Sequence, residues 1–127
     1  MKVVFVAYPY ALSGYREAIA TAGEGLVRLV YADETITNKH ILDKITDLMT
    51  ESDLCIFDLT EWNQNVALEL GIAIGWKLNY RVLLGPSKRT DVFSDMKGWD
   101  QLRYADTDEL CQKLDALFRH EDTFTRP

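Results

Sequence analysis

The chain predicts an α/β fold, specifically a flavodoxin-like, doubly wound, five-stranded parallel sheet with helices on both faces. Short apolar runs alternate with amphipathic segments, and the connections between them are short. One run, Leu54 to Leu59, is apolar almost throughout, which is typical of a central parallel strand. The simplest strand order is 2-1-3-4-5, which places the loops after strands one and three at one crevice.

The elements follow one another in regular alternation. Strands are predicted at Val3 to Ala7, Leu26 to Tyr31, Leu54 to Leu59, Arg81 to Gly85 and Gln101 to Tyr104. Apolar residues at helical spacing predict helices at Gly14 to Gly23, Asn38 to Thr50, Asn65 to Leu78 and Asp106 to Arg119. We expect one domain over residues 1–120 and a frayed tail over 121–127.

Composition excludes several classes of function. A net charge of −6 and a pI near 4.8 argue against a nucleic-acid surface, which needs clustered Lys and Arg. No apolar stretch approaches the roughly eighteen residues of a membrane span, and the N-terminus does not resemble a signal peptide, so we expect a cytoplasmic protein. Cys55 and Cys111 are expected to be reduced core residues. With only His40 and His120 besides, no metal site is predicted.

Glu69 is the most informative residue, because it is the only charge between Val66 and Trp76. Burying an unpaired carboxylate is costly, so an acid in this helix needs a reason. One alternative is a capping or core hydrogen bond without further role. The other is a functional carboxylate, because the segment lies where a strand passes into a helix and open α/β sheets bind ligands there.

Other residues support the Glu69 helix in this interpretation. Asn63 and Asn65 precede it at capping positions, and Asn65 is expected to share a face with Glu69. The small residues Ala67, Gly71 and Gly75 are expected to let the helix lie close against a neighbouring element, and Trp76 is expected in the core.

The first loop also has the character of a nucleotide site. Tyr8, Pro9 and Tyr10 follow strand one, with Tyr15 and Arg16 shortly after. Tyrosine rings can stack on a base, and Arg16 could reach a phosphate. Alternatively, some of these tyrosines merely cover the end of the sheet.

Two acids complete the candidate site, one after strand two and one at the end of strand three. Asp33 could bind ribose hydroxyls, although it could equally cap the next helix or lie in solvent. Asp58 begins the polar segment that leads to Asn63 and Asn65. Both acids would lie at the carboxyl edge of the predicted sheet.

Three motifs resemble those of the prokaryotic TIR-like domains related to nucleoside 2-deoxyribosyltransferases: Asp58-x-Thr60, Asn63-x-Asn65-Val66 and Glu69-Leu-Gly-x-Ala73. The likeness spans nearly the whole chain. In both groups of relatives, a glutamate after the third strand acts on an N-glycosidic bond, and the resemblance gives that role to Glu69. It also implies substrate contacts for Asp58, Asn63, Asn65 and the Tyr8 to Tyr10 loop.

The resemblance implies an NAD-processing enzyme that cleaves the bond between nicotinamide and ribose, in bacterial defence or nucleotide signalling. The product would be ADP-ribose or its cyclic form, with NAD as substrate and no cofactor. Nicotinamide is a cationic leaving group that needs no general acid, which suits a site without histidine. The alternatives are a nucleoside or nucleotide 2-deoxyribosyltransferase or N-glycosidase, and a non-catalytic nucleotide-sensing module.

The chain departs from these relatives in three ways. Tyr10 stands where Phe is usual, the Ser-x-Trp-Cys box of animal and plant TIR domains is missing, and so is the Asp-Gly segment with which deoxyribosyltransferases recognise a base. For partners, the resemblance implies a homo-oligomer or an assembly with a partner effector, and no nucleic acid or membrane.

Overall fold

Five parallel strands form one sheet in the order β2-β1-β3-β4-β5, so the predicted fold class and strand order are confirmed. The computed structural model describes residues 1–9, 14–31, 41–61, 63–86 and 101–125. The strands are β1 (Lys2–Ala7), β2 (Val27–Tyr31), β3 (Leu54–Asp58), β4 (Tyr80–Leu84) and β5 (Gln101–Arg103). The helices are α1 (Tyr15–Gly23), α2 (Ile41–Glu51), α3 (Gln64–Gly75) and α4 (Thr107–Arg119), followed by a 3-10 helix at Glu121–Phe124.

The register of the sheet brings the ends of neighbouring strands together. On β1, Phe5 lies opposite Val30 of β2 and Cys55 of β3. Asp58, the last residue of β3, lies opposite Leu83 of β4. The carboxyl ends of β1, β3, β4 and β5 therefore form one edge, where loops of a doubly wound fold build ligand sites.

The two faces of the sheet carry separate apolar cores, because successive side chains of a strand point to opposite faces. One core joins the even-numbered residues of β1 and β3, such as Val4 and Ile56, to α1 and α4. The other joins the odd-numbered residues of these two strands, such as Phe5 and Phe57, to α2 and α3. Every residue of β3 is buried, as expected of a strand covered on both faces.

The end of α3 differs from the prediction. Trp76 was predicted in the core but is 55 % exposed, because the helix ends at Gly75 and Lys77 turns the chain through a positive φ of 56°. Leu78 takes the buried place instead, and its N–H donates to the Ala73 carbonyl at 2.9 Å. This arrangement is that of a helix terminated by a left-handed residue.

The predicted role of the small residues in α3 is also wrong. Gly71 and Gly75 are both exposed, and a Cβ added at either would meet no atom of the described residues within 4 Å. These glycines lie on the face turned away from the sheet, close to Leu68, which is 54 % exposed. The helix is held to the sheet by larger residues, namely Val66, Leu70 and Ala73.

The tail beyond His120 is ordered at least as far as residue 124, which corrects the prediction of a frayed end. Thr123 is buried, and its hydroxyl donates to the Leu117 carbonyl at 2.8 Å. The Asn79 amide donates to the carbonyls of Thr123 and Asp53, at 2.9 and 3.0 Å. These bonds fasten the 3-10 helix to the edge of the sheet opposite the candidate site.

Candidate functional site

The start of α3 is fixed by Asn63. Its side-chain oxygen accepts hydrogen bonds from the backbone N–H groups of Asn65 at 2.9 Å and Val66 at 3.2 Å. This is the geometry of an N-cap, which satisfies donors that the first helical turn leaves unpaired. The predicted capping role of Asn63 is confirmed. Asn65 is exposed at the solvent side of the same turn, and contact of either residue with a substrate stays a prediction.

Glu69 lies on the inward face of α3, with Val66, Leu70 and Ala73, and is only 5 % exposed. Its Oε2 atom is buried and accepts no hydrogen bond from any part of the chain that the structure describes. Burial raises the pKa of Glu69 from 4.5 to about 7. The first alternative, an acid held by a structural hydrogen bond, is therefore not observed for the Oε2 atom of Glu69.

The Glu69 side chain lies toward the carboxyl edge of the sheet. The residue is the sixth of α3, so its Cα lies only about 8 Å from the start of the helix. Helical side chains tilt toward the N-terminus, which brings the carboxyl group nearer still to the carboxyl ends of the strands. The residue is 5 % exposed at this edge, and its Oε2 atom has no partner among the described residues.

Asp58 has a different environment. It is fully buried, and its Oδ1 accepts hydrogen bonds from the Thr60 N–H at 2.8 Å and from the Thr60 hydroxyl. Its Oδ2 accepts from the Tyr104 hydroxyl at 2.5 Å. Burial raises the pKa of Asp58, although these hydrogen bonds act in the opposite direction by favouring the charged form.

The hydroxyls of this cluster also meet each other. The Thr60 and Tyr104 hydroxyl oxygens lie 3.1 Å apart, so each hydroxyl can donate to Asp58 or to the other hydroxyl. The Gly85 N–H donates to the Thr60 hydroxyl oxygen at 2.7 Å. The network uses every donor with Asp58 ionised as an acceptor, and equally with Asp58 protonated and donating to Tyr104. The Asp58 carboxylate in turn raises the pKa values of Tyr15 and Tyr104, after burial, which contributes most to both.

The two acids lie on opposite faces of the sheet. Asp58 follows Ile56 on the α1 and α4 face, where its partner Tyr104 is part of the core. Glu69 belongs to α3, which packs on the other face against Phe57 and Leu59. With no exposed surface, Asp58 cannot touch a ligand in this conformation, and its predicted role as substrate contact stays a prediction.

Tyr8 and Arg16 form a cluster at the end of β1. The Arg16 Nε donates to the Tyr8 hydroxyl at 3.0 Å, and the guanidinium lies over the Tyr31 ring at 4.0 Å. Tyr8 stacks on Tyr15, with ring centroids 4.6 Å apart, and Tyr15 is buried in the core. Tyr15 thus covers the end of the sheet, which was the alternative to a nucleotide contact for the tyrosines of this loop. Pro9 is buried beside Tyr8. Phosphate binding by Arg16 stays a prediction.

Two of the predicted contacts, Tyr10 and Asp33, lie outside the described residues, as does Trp62. Among the residues that are described, no three His, Cys, Asp or Glu side chains are grouped so as to hold a metal ion. The described helices include none that is long and apolar enough to cross a membrane. Cys55, which is buried, and Cys111, which is partly exposed, form no disulfide.

Comparison with solved structures identifies proteins of the same fold. The chain is similar to the CMP N-glycosidase BcmB of Clostridium botulinum, with a TM-score of 0.62 and 20 % identity over 91 % of this chain and 99 % of that one. It is also similar to a conserved protein from Enterococcus faecalis V583, with a TM-score of 0.61 and 15 % identity over 91 % and 98 % of the two chains. No family model matches, and no curated protein matches. At these identities the similarity shows a shared fold.

Sequence reasoning missed Tyr104 and the role of Thr60. Tyr104 is the last residue of the fifth predicted strand, and its hydroxyl meets an acid 46 residues earlier in the chain. No local pattern reports a contact of that separation. The spacing Asp58-x-Thr60 was the only available signal, because an acid commonly accepts the N–H two residues ahead.

Proposed function

We propose that this protein cleaves the N-glycosidic bond of a nucleotide, with Glu69 as the catalytic carboxylate. The observation that carries the proposal is the Oε2 atom of Glu69, which is buried at the ligand-binding edge of the sheet and has no partner among the described residues. Groups with perturbed pKa values in such positions are characteristic of active sites. The shared fold with a CMP N-glycosidase supports the same reaction class.

The reaction needs little more than one carboxylate. As the bond between C1′ and the base nitrogen breaks, its electron pair leaves with the base and positive charge develops on the sugar. Glu69 stabilises that charge or bonds to C1′, and water then supplies the hydroxyl and loses a proton to the carboxylate or to solvent. Two displacements at C1′ would give retention of configuration.

Electrostatics favours a cationic substrate. A buried carboxylate is stabilised by an opposite charge, and no described residue forms an ion pair with Glu69. The nicotinamide ring of NAD carries a positive charge and leaves as a neutral molecule without protonation. We therefore propose NAD as the substrate, converted to ADP-ribose or its cyclic form, in a TIR-like role in bacterial defence or nucleotide signalling.

A pyrimidine nucleotide is the second candidate, because the fold is shared with a CMP N-glycosidase. Cytosine is a neutral leaving group and departs more easily when protonated. Glu69, with a pKa of about 7, is partly protonated at neutral pH and could supply that proton. NAD and CMP therefore require Glu69 in different protonation states.

The test is release of nicotinamide from NAD and of cytosine from CMP by the wild type, Glu69→Gln and Glu51→Gln, measured by liquid chromatography. Glu51 is an exposed acid at the end of α2, so its substitution controls for loss of charge. We expect Glu69→Gln to lower kcat at least about 100-fold and Glu51→Gln to leave it unchanged. Base release that survives Glu69→Gln would refute the proposal. Tight nucleotide binding without product would favour the sensing module.

A further inference from the structure

The ends of three neighbouring strands meet at Asp58. The residue ends β3, while Gly85 directly follows β4 and Tyr104 directly follows β5. Hydrogen bonds join Asp58 to Tyr104 and Thr60, and Thr60 to the backbone N–H of Gly85. We call the three side chains of Asp58, Thr60 and Tyr104 the strand-end clamp.

The packing around the clamp leaves little freedom. Gly85 lies under the Tyr104 ring, where an added Cβ would come within 2.6 Å of two ring carbons. The Thr60 and Asp58 side chains are both buried, as is most of Tyr104. A network with all donors satisfied in such surroundings fixes its members in one arrangement.

The clamp connects to Glu69 through a short stretch of backbone. The bond from the Thr60 N–H to Asp58 closes a turn directly after β3. Three residues later Asn63 caps α3, and Glu69 follows on the inward face of that helix. A shift of the turn at Thr60 would therefore move the start of α3 and the Glu69 carboxyl group with it.

We propose that the strand-end clamp positions Glu69 through the turn after β3, and that Asp58 acts in this way instead of touching the substrate. The inference rests on the proposed function in so far as Glu69 is the catalytic residue. Asp58 is fully buried on the opposite face of the sheet from α3, so the covalent path through Thr60 is the connection that the geometry provides.

Substitution of Thr60 tests the clamp. Thr60→Val keeps the shape of the side chain but removes the hydroxyl, whereas Thr60→Ser keeps the hydroxyl. We expect Thr60→Val to lower kcat about 10- to 100-fold with KM changed less than about twofold, because displacing a reacting group by about 1 Å can have that effect. Thr60→Ser should retain at least about half of kcat. Thr21→Val, which removes an exposed bond to the Glu17 carbonyl, should change neither constant.

A second measurement does not depend on turnover. In protein labelled with 13C at the glutamate carboxyl groups, the Glu69 signal is identified as the one that is lost in Glu69→Gln. The pH midpoint of its titration reports how strongly the carboxyl group is buried. We expect the midpoint to move from about 7 toward 4.5 in Thr60→Val, because a displaced carboxyl group is less buried. In Thr60→Ser and Thr21→Val the midpoint should keep its wild-type value. If Thr60→Val does not fold, Tyr104→Phe removes one clamp bond and is expected to shift the midpoint in the same direction.

The outcomes separate the two proposals. A wild type that releases no base refutes the proposed function, while the titration still decides the clamp. An unchanged kcat or an unchanged midpoint in Thr60→Val would overturn the clamp. A rise in KM or loss of nucleotide binding in Asp58→Asn, with the Glu69 midpoint unchanged, would also overturn it by assigning Asp58 to the substrate.

Discussion

Replacing Glu69 with Gln should change how stability depends on pH. The pKa of Glu69 is 4.5 in the unfolded chain and about 7 in the fold, because burial disfavours its charged form. Well below pH 4.5 Glu69 is protonated in both the folded and the unfolded chain, so it does not make the free energy of unfolding depend on pH. Between pH 4.5 and 7 the unfolded chain ionises first, so the free energy of unfolding falls as pH rises. Above about pH 7 Glu69 is ionised in both states, and the free energy of unfolding falls no further because of this residue.

The magnitude follows from the two pKa values. A carboxyl whose pKa rises from 4.5 to about 7 on folding destabilises the ionised protein by about 3 kcal/mol. Glu69→Gln removes this dependence and adds only a constant offset from the buried amide. Relative to the wild type, the variant should therefore gain about 3 kcal/mol between pH 4 and pH 8, a large part of the stability of an ordinary domain.

Urea denaturation at half-unit intervals from pH 4 to pH 8 measures this gain. The contribution of other groups, including Asp58, cancels in the difference between the two proteins. Glu51→Gln, at an exposed acid, should run parallel to the wild type at every pH. A difference between Glu69→Gln and wild type that is the same at pH 4 and pH 8 would show that Glu69 is not held in a desolvated site.

Three further predictions concern turnover, the end of α3 and the turn between α1 and β2. With NAD, kcat/KM of the wild type should rise with pH and level off above about 7, because the proposed reaction uses the carboxylate form of Glu69. A profile that falls over this range would show that the protonated form of Glu69 is the reactive one. Lys77→Gly should raise the free energy of unfolding by about 1 kcal/mol in urea, because Lys77 has a positive φ of 56° that glycine adopts without strain. Gly25→Ala, at φ 73° and with open space for the methyl group, should lower it by a similar amount.

The strands, the helices and their order could be predicted because the sequence patterns that specify them are local. The buried run of β3, the amphipathic stripe of α4 and the capping residue Asn63 each depend on a few neighbouring residues, and all three are confirmed. The strand order followed from the short connections between alternating elements. Glu69 was recognised for the same reason, since a charge in an apolar helix is visible in the sequence alone.

The errors concern properties that the sequence pattern does not contain. A helix that is apolar on every side has no amphipathic pattern, so its sequence does not indicate which face is buried. The exposure of Gly71 and Trp76 could therefore not be predicted from the sequence of α3. The partner of Asp58 depends on where β5 lies in the sheet. The face to which Asp58 points depends on the alternation of side chains along β3. This alternation separates Asp58, the last residue of β3, from Glu69 in the helix that follows.

In the proposed reaction, the feature of α3 that weakens the fold also favours a cationic substrate. Glu69 is costly to ionise in the empty site, and this cost falls when a positive charge enters beside it. A cationic ring is therefore bound more favourably than a neutral ring of the same shape, and the growing charge on the sugar receives the same stabilisation as the bond breaks. The strand-end clamp keeps the carboxyl group in place meanwhile, through bonds on the opposite face of the sheet that no substrate disturbs. The reacting acid and the acid that holds it in place thus lie on opposite faces of the sheet.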